Sequence, residues 1–127
     1  AAMTRSELID YCLAKPQAKG DFPFDDRTLT VRVGKKIFLL VDLEAEEESA
    51  NLKCEPELSA DLRAAYPAIK PGYHMNKEHW NTVLLDGSLP DELVRSLADG
   101  SYELVEASLT AAARAEAGLP PRPRRRS

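Results

Sequence analysis

Residues Thr28-Leu29-Thr30-Val31-Arg32-Val33 alternate polar and apolar without a break, with Leu29, Val31 and Val33 on one side. A period of two buries one face only if the chain is an extended strand. Gly34 and Lys35 follow, and Lys36 to Leu43 then carries the run Ile37-Phe38-Leu39-Leu40-Val41. Two such segments around a two-residue turn predict a β-hairpin. The second strand is apolar at successive positions, so it is expected deeper in a sheet, covered on both faces. A hairpin alone is barely stable in water, so the rest of the chain has to widen and cover it.

The flanking segments supply those parts. Thr4 to Ala14 predicts a helix, with Thr4 and Glu7 spaced as a capping box and Leu8, Ile9, Cys12 and Leu13 facing the core. Pro16 and Gly20 end it. Phe22-Pro23-Phe24 predicts a loop with two aromatic anchors. Ser49 to Cys54 predicts a third strand with Leu52 and Cys54 inward, after the solvated acidic loop at 44–48. Pro56 opens a helix at its favoured first position, with Leu58, Leu62, Ala65 and Tyr66 as its buried stripe. His79 to Leu85 predicts a fourth strand. A last helix begins at Pro90 or Asp91, and Gly100 is expected to divide it. The fold class is therefore α+β: a compact single domain with a mainly antiparallel sheet of about four strands packed with helices. The domain is expected at residues 3–113, with 114–127 a mobile tail rich in Pro and Arg.

Composition narrows the function classes. The 127 residues are 43% hydrophobic and 30% charged, the balance of a soluble globular domain. No apolar run is long enough to span a bilayer, and the N-terminus lacks the order of a secretory signal. Cys12 and Cys54 form no CxxC pair, so a reducing cytoplasm is the expected location. The formal charge is −4, yet four arginines lie in the last six residues. Without them, 13 basic residues face 21 acidic ones, so a nucleic-acid surface would have to be local.

Chemistry concentrates in Pro71 to Thr82, which holds both histidines, the only tryptophan and two asparagines. His74 and His79 are five apart and form neither HExxH nor HxxxH. Glu78 or Cys54 would have to supply a third ligand, so no metal is expected. Cys54 with His74 would make a nucleophile and base, but Cys54 reads more plainly as a buried strand residue. No nucleophile elbow, GxGxxG or Walker A sequence occurs, so neither an enzyme nor a cofactor is expected. Nucleic-acid binding is better supplied. Lys35 and Lys36 sit at the hairpin tip, Arg32 and Lys53 project from polar strand faces, and Lys70, His74, Lys77 and His79 add cations or donors. Asn76 and Asn81 can read base edges, and Trp80 either stacks on a base or fills the core. The alternative is a protein- or small-anion-binding module, with Tyr73 and Trp80 as walls and Lys53, Lys70 and Lys77 as captors. A monomer is the default.

Taken together, Thr4 to Cys12, Phe22-Pro23-Phe24, Asn51 to Pro56, Pro71 to Lys77 and His79 to Thr82 resemble the MmcQ/YjbR family of small bacterial proteins. The resemblance covers about residues 3 to 110 by the order and spacing of those blocks. It implies a CyaY-like fold and a DNA-binding role, with paired wing hairpins as contact elements.

Overall fold

The computed structural model describes residues 3–72 and 75–122. Its first helix, α1 (Arg5–Leu13), begins at the expected capping box: Thr4 accepts from the Glu7 amide, and Glu7 accepts from the Thr4 amide. The expected hairpin is β2 (Thr28–Val33) and β3 (Lys36–Asp42), joined through Gly34 at φ 63°. Leu109 packs against that turn, and a Cβ on Gly34 would lie 3.0 Å from its Cδ2. β4 (Ser49–Lys53) leads into α2 (Pro56–Ala65), with Pro56 in its first turn.

The sheet has six strands rather than four. β1 (Ala18–Asp21) and β5 (Ile69–Pro71) were missed because both are short, polar edge strands without an alternating apolar face. With β6 (Trp80–Leu84), the order is β1-β2-β3-β4-β6-β5, and every pairing is antiparallel. α3 (Asp91–Ala107) runs through Gly100 unbroken, because one glycine costs only about 1 kcal/mol in a helix held by tertiary packing. α4 (Ala111–Ala117) follows.

The helices α1, α2 and α3 cover one face of the sheet. Tyr102 of α3 meets Phe38 edge to face at 5.2 Å. Ser59 of α2 reaches Asn81, and Leu13 of α1 lies beside Gly20 and Leu29. Between the layers, Leu8, Cys12, Val31, Val33, Phe38, Leu39, Leu52, Val83 and Val105 form the buried core. Burial pushes the Cys12 thiol up to about 12, which keeps it neutral and unreactive.

Three local expectations fail for identifiable reasons. Leu58 and Ala65 are exposed, and the buried face of α2 is instead Ser59 and Leu62, because Asn81 brings a polar partner to that face. Phe22 and Phe24 are 48% and 65% exposed, not buried as anchors of the loop. The boundary expected at 113 falls inside α4. Arg114 is buried there, paired with Glu106 and donating to the Pro120 carbonyl, and Leu119 is buried behind it. Arg122 donates to the carbonyls of Ala107 and Leu109, so it too is tied to the end of α3 and the segment before α4. No helix of the described residues is long and apolar enough to cross a membrane.

Candidate functional site

Cross-strand partners share a face, so the register fixes what the side of the sheet away from the helices presents, where Thr30 and Thr82 are themselves buried. One row runs across all six strands: Asp21, Thr30, Leu40, Asn51, Thr82, Lys70. Its polar members hold one another. Thr30 donates to Asp21, Thr82 donates to Asn51 at 2.7 Å, and Asn51 donates to the Leu40 carbonyl at 3.1 Å. Hydrogen bonds from Thr30 and then Arg32 hold the Asp21 carboxyl below its usual range. The next row, nearer the Gly34 turn, carries Lys19, Arg32 and Ile37 on one side and Lys53 with Trp80 on the other.

The same register sets the two ends of the sheet. Lys36 begins β3, Lys53 ends β4 and Trp80 begins β6, so the Gly34 turn and the 75–79 loop share an end. Adjacent strands lie about 4.8 Å apart, which puts Lys36 and Trp80 about 10 Å apart along the sheet. The opposite end carries Asp25, Asp26, Glu44, Glu46, Glu47 and Glu48 in its loops. The acidic excess of the chain is thus partly segregated away from the basic strand ends.

Arg32 is ion-paired to Asp21 at 3.2 Å and donates to the Lys35 carbonyl. Lys35 is 88% exposed and 3.7 Å from Glu116, while Lys36 donates to Ser108, the residue that caps the C-terminus of α3. The hairpin tip is therefore docked against Leu109 and α4, and it does not project as a wing. Lys53 and Trp80 are half-buried cross-strand partners at the end of the sheet, Lys53 also bordering the hollow between α2 and α3, and Lys70 is exposed on edge strand β5. Asn76 turns the 76–80 loop: its side chain accepts from the Glu78 amide, and its carbonyl accepts from Trp80. Lys77 is exposed and His79 half-buried. His74 lies outside the described residues.

Asn81, expected at the surface, is instead spent inside the fold. It is 2% exposed, accepts from Arg63 Nε at 2.8 Å and donates to Ser59 Oγ at 3.1 Å. Its amide is committed to the helix side and cannot read a base. The Arg63 guanidinium also donates to the carbonyls of Lys77 and Trp80, so α2 clamps the whole 77–81 segment. Sequence reasoning missed this clamp, because nothing local ties Ser59 and Arg63 to residues some twenty positions on. Gly72 completes it: its amide donates to the Trp80 carbonyl at 2.9 Å, and a Cβ there would meet Trp80 Cβ at 3.0 Å. Among the described residues, no three His, Cys, Asp or Glu side chains converge as a metal site. Cys54 is buried, as its place in the alternation predicts.

A model of the YjbR family matches residues 13–104. The chain belongs to the YjbR family. It is 41% identical over 101 residues to the uncharacterised protein YjbR of Escherichia coli strain K12, covering 80% of this chain and 86% of that one. It is 30% identical over 118 residues to the uncharacterised protein YyaQ of Bacillus subtilis strain 168, covering 82% and 99%. The crystal structure of the Deinococcus radiodurans protein DR2400 superposes with a TM-score of 0.84 at 42% identity, over 94% of this chain and 91% of that one. A Pseudomonas syringae structure follows at a TM-score of 0.69 and 34% identity, over 81% and 99%. The YjbR match ends at residue 104, so Leu109 and α4, which pack on the basic hairpin tip, lie beyond it, as does Arg122, which donates to the Leu109 carbonyl.

Proposed function

We propose that this YjbR-family chain is a non-catalytic DNA-binding protein that takes a single strand across the basic end of the sheet face away from its helices. The observation that supports this most is the register, which sets Arg32 and Lys53 on one face with Trp80 beside Lys53. A sheet face with an aromatic ring flanked by cations suits an unpaired base and its phosphates. Lys77 and His79 lie on the adjoining loop, and Lys35 and Lys36 extend the cationic edge beyond it. The docked hairpin tip favours this reading over insertion of a wing into a duplex groove.

Trp80 is the only tryptophan, so its fluorescence reports this surface directly. Single-stranded oligonucleotides should quench it, with affinity falling steeply as salt rises. Lys53→Ala with Lys77→Ala should remove about two phosphate contacts and flatten the log–log salt slope by roughly 1.5. No anisotropy change at low salt, or binding without salt dependence, would refute the proposal.

A further inference from the structure

We propose that the hollow between α4, the Gly34 turn and the start of β1 binds a small organic anion, a carboxylate or phosphate ester on an apolar body. This proposal stands on the hollow alone and does not require that the chain bind DNA.

The hollow exists because the residues around it are small. α4 turns Ala113 and Ala117 toward it, both half-buried, and the facing hairpin turn offers Gly34. Leu109 beneath them is fully buried against that glycine. Larger side chains at these alanines would close the space, since α4 accepts any good helix former. What remains is an apolar-floored hollow of ≈ 240 Å³. That is smaller than the ~300–1,000 Å³ of sites for drug-sized ligands, so the occupant is small.

The rim gives the sign of the ligand. Lys19, Lys35 and Lys36 surround the hollow, against the single carboxylate of Glu116. Lys19 stands directly across from Arg32, whose charge is already answered by Asp21. The Lys19 ammonium itself has no ion-pair or hydrogen-bond partner among the described residues. Lys35 meets only Glu116, at 3.7 Å between groups that are 88% and 70% exposed, a pairing that holds weakly in water. Lys36 is fixed by Ser108 through its Oγ and carbonyl, and an ammonium has a third donor to spare. Three cations around an apolar floor match an anionic head on a short hydrocarbon body. A bare inorganic anion leaves the floor unfilled, and a neutral body leaves the lysines unanswered.

The test is titration of the whole chain, followed by amide chemical shifts, with four probes: hexanoate, hexyl phosphate, hexanol and inorganic phosphate. The two amphipathic anions should bind saturably and shift Gly34, Lys35, Ala113 and Ala117. Which of the two binds tighter identifies the preferred head group. Lys19→Gln with Lys35→Gln should weaken both about tenfold, the equivalent of two modest charge contacts. Glu116→Gln should strengthen them. Ala117→Leu fills the hollow and should abolish binding while leaving the rest of the spectrum in place. The proposal is overturned if neither anion saturates by roughly 10 mM, a weak affinity for so small a ligand. It is equally overturned if hexanol binds as well as hexanoate, if inorganic phosphate matches hexyl phosphate, or if Ala117→Leu leaves binding intact.

Discussion

Ser101 repairs a break in the sheet, and removing its hydroxyl should show what the repair is worth. The register between β2 and β3 shifts after Val31, so Phe38 is an extra residue on its strand. β3 and β4 then pair only at Leu39 with Leu52 and at Leu40 with Asn51. The next rung would join the Lys53 amide to the Phe38 carbonyl. Ser101 of α3 occupies that place: its Oγ accepts from Lys53 at 2.8 Å and donates to Phe38 at 2.6 Å. Ser101 is 0% exposed, so no water can substitute. Ser101→Ala leaves a buried donor and a buried acceptor without this partner, together about 2–4 kcal/mol. Alanine returns about 0.5 kcal/mol of helix propensity. The net loss is about 1.5–3.5 kcal/mol, or a Tm lower by about 6–13 °C for a chain of this length. Urea denaturation should show it with an unchanged m-value, and hydrogen exchange should show the Lys53 amide losing protection. The exposed Ser96→Ala on the same helix, as a control, should stay within about 0.5 kcal/mol. A Ser101→Ala loss no larger than that control, with Lys53 still protected, would refute the reasoning.

Two further outcomes follow from the same structure. Gly100 lies in mid-helix, and a Cβ there meets nothing within 4 Å, so Gly100→Ala should stabilise the fold by about 0.5–1 kcal/mol in chemical denaturation; a loss of stability would mean that the space is not open. Stability should also fall at both pH extremes. Burial alone would raise the Asp99 carboxyl, but hydrogen bonds from Lys15 and Tyr11 outweigh it and hold it below its usual range, as a hydrogen bond from Arg27 does for Asp42. Carboxyls lowered in the folded state add stability above the unfolded value near about 4 and lose it as pH falls through the folded value. Cys12, pushed up to about 12 by burial, and Tyr11, raised by its bond to Asp99, keep their protons longer when folded, so stability declines as pH rises beyond about 9. Thermal melts across pH should show a plateau between, and Asp99→Asn should shrink the acid limb; an unchanged acid limb in that variant would count against the assignment.

The hairpin, the capping box and the Pro56 helix start were legible because each rests on neighbours in sequence. A period of two, a Thr-x-x-Glu spacing and a proline's missing amide act over a few residues, and no distant contact competes with them. The short edge strands were not legible. β1 and β5 have no apolar alternation, and they are strands only because β2 and β6 offer them open hydrogen-bonding edges. The same limit governed the candidate site. The sequence marked Arg32, Lys53 and Trp80 as available chemistry, but only the strand register brings them to one face.

Asn81 shows the limit from the other side. Its polarity, on a predicted strand next to Trp80, suggests a contact residue, yet pairing with Leu52 turns it toward α2, where Ser59 and Arg63 consume its amide. By itself the sequence determined the hairpin, the periodic helices and inner strands, the α+β class and the YjbR likeness, since local periodicity and short motifs encode them. The tertiary structure decided which polar groups are spent inside the fold and which face solvent. It also decided that α4 would leave a lysine-rimmed hollow beside the hairpin. Those outcomes depend on which distant residues meet, and no local spacing records that.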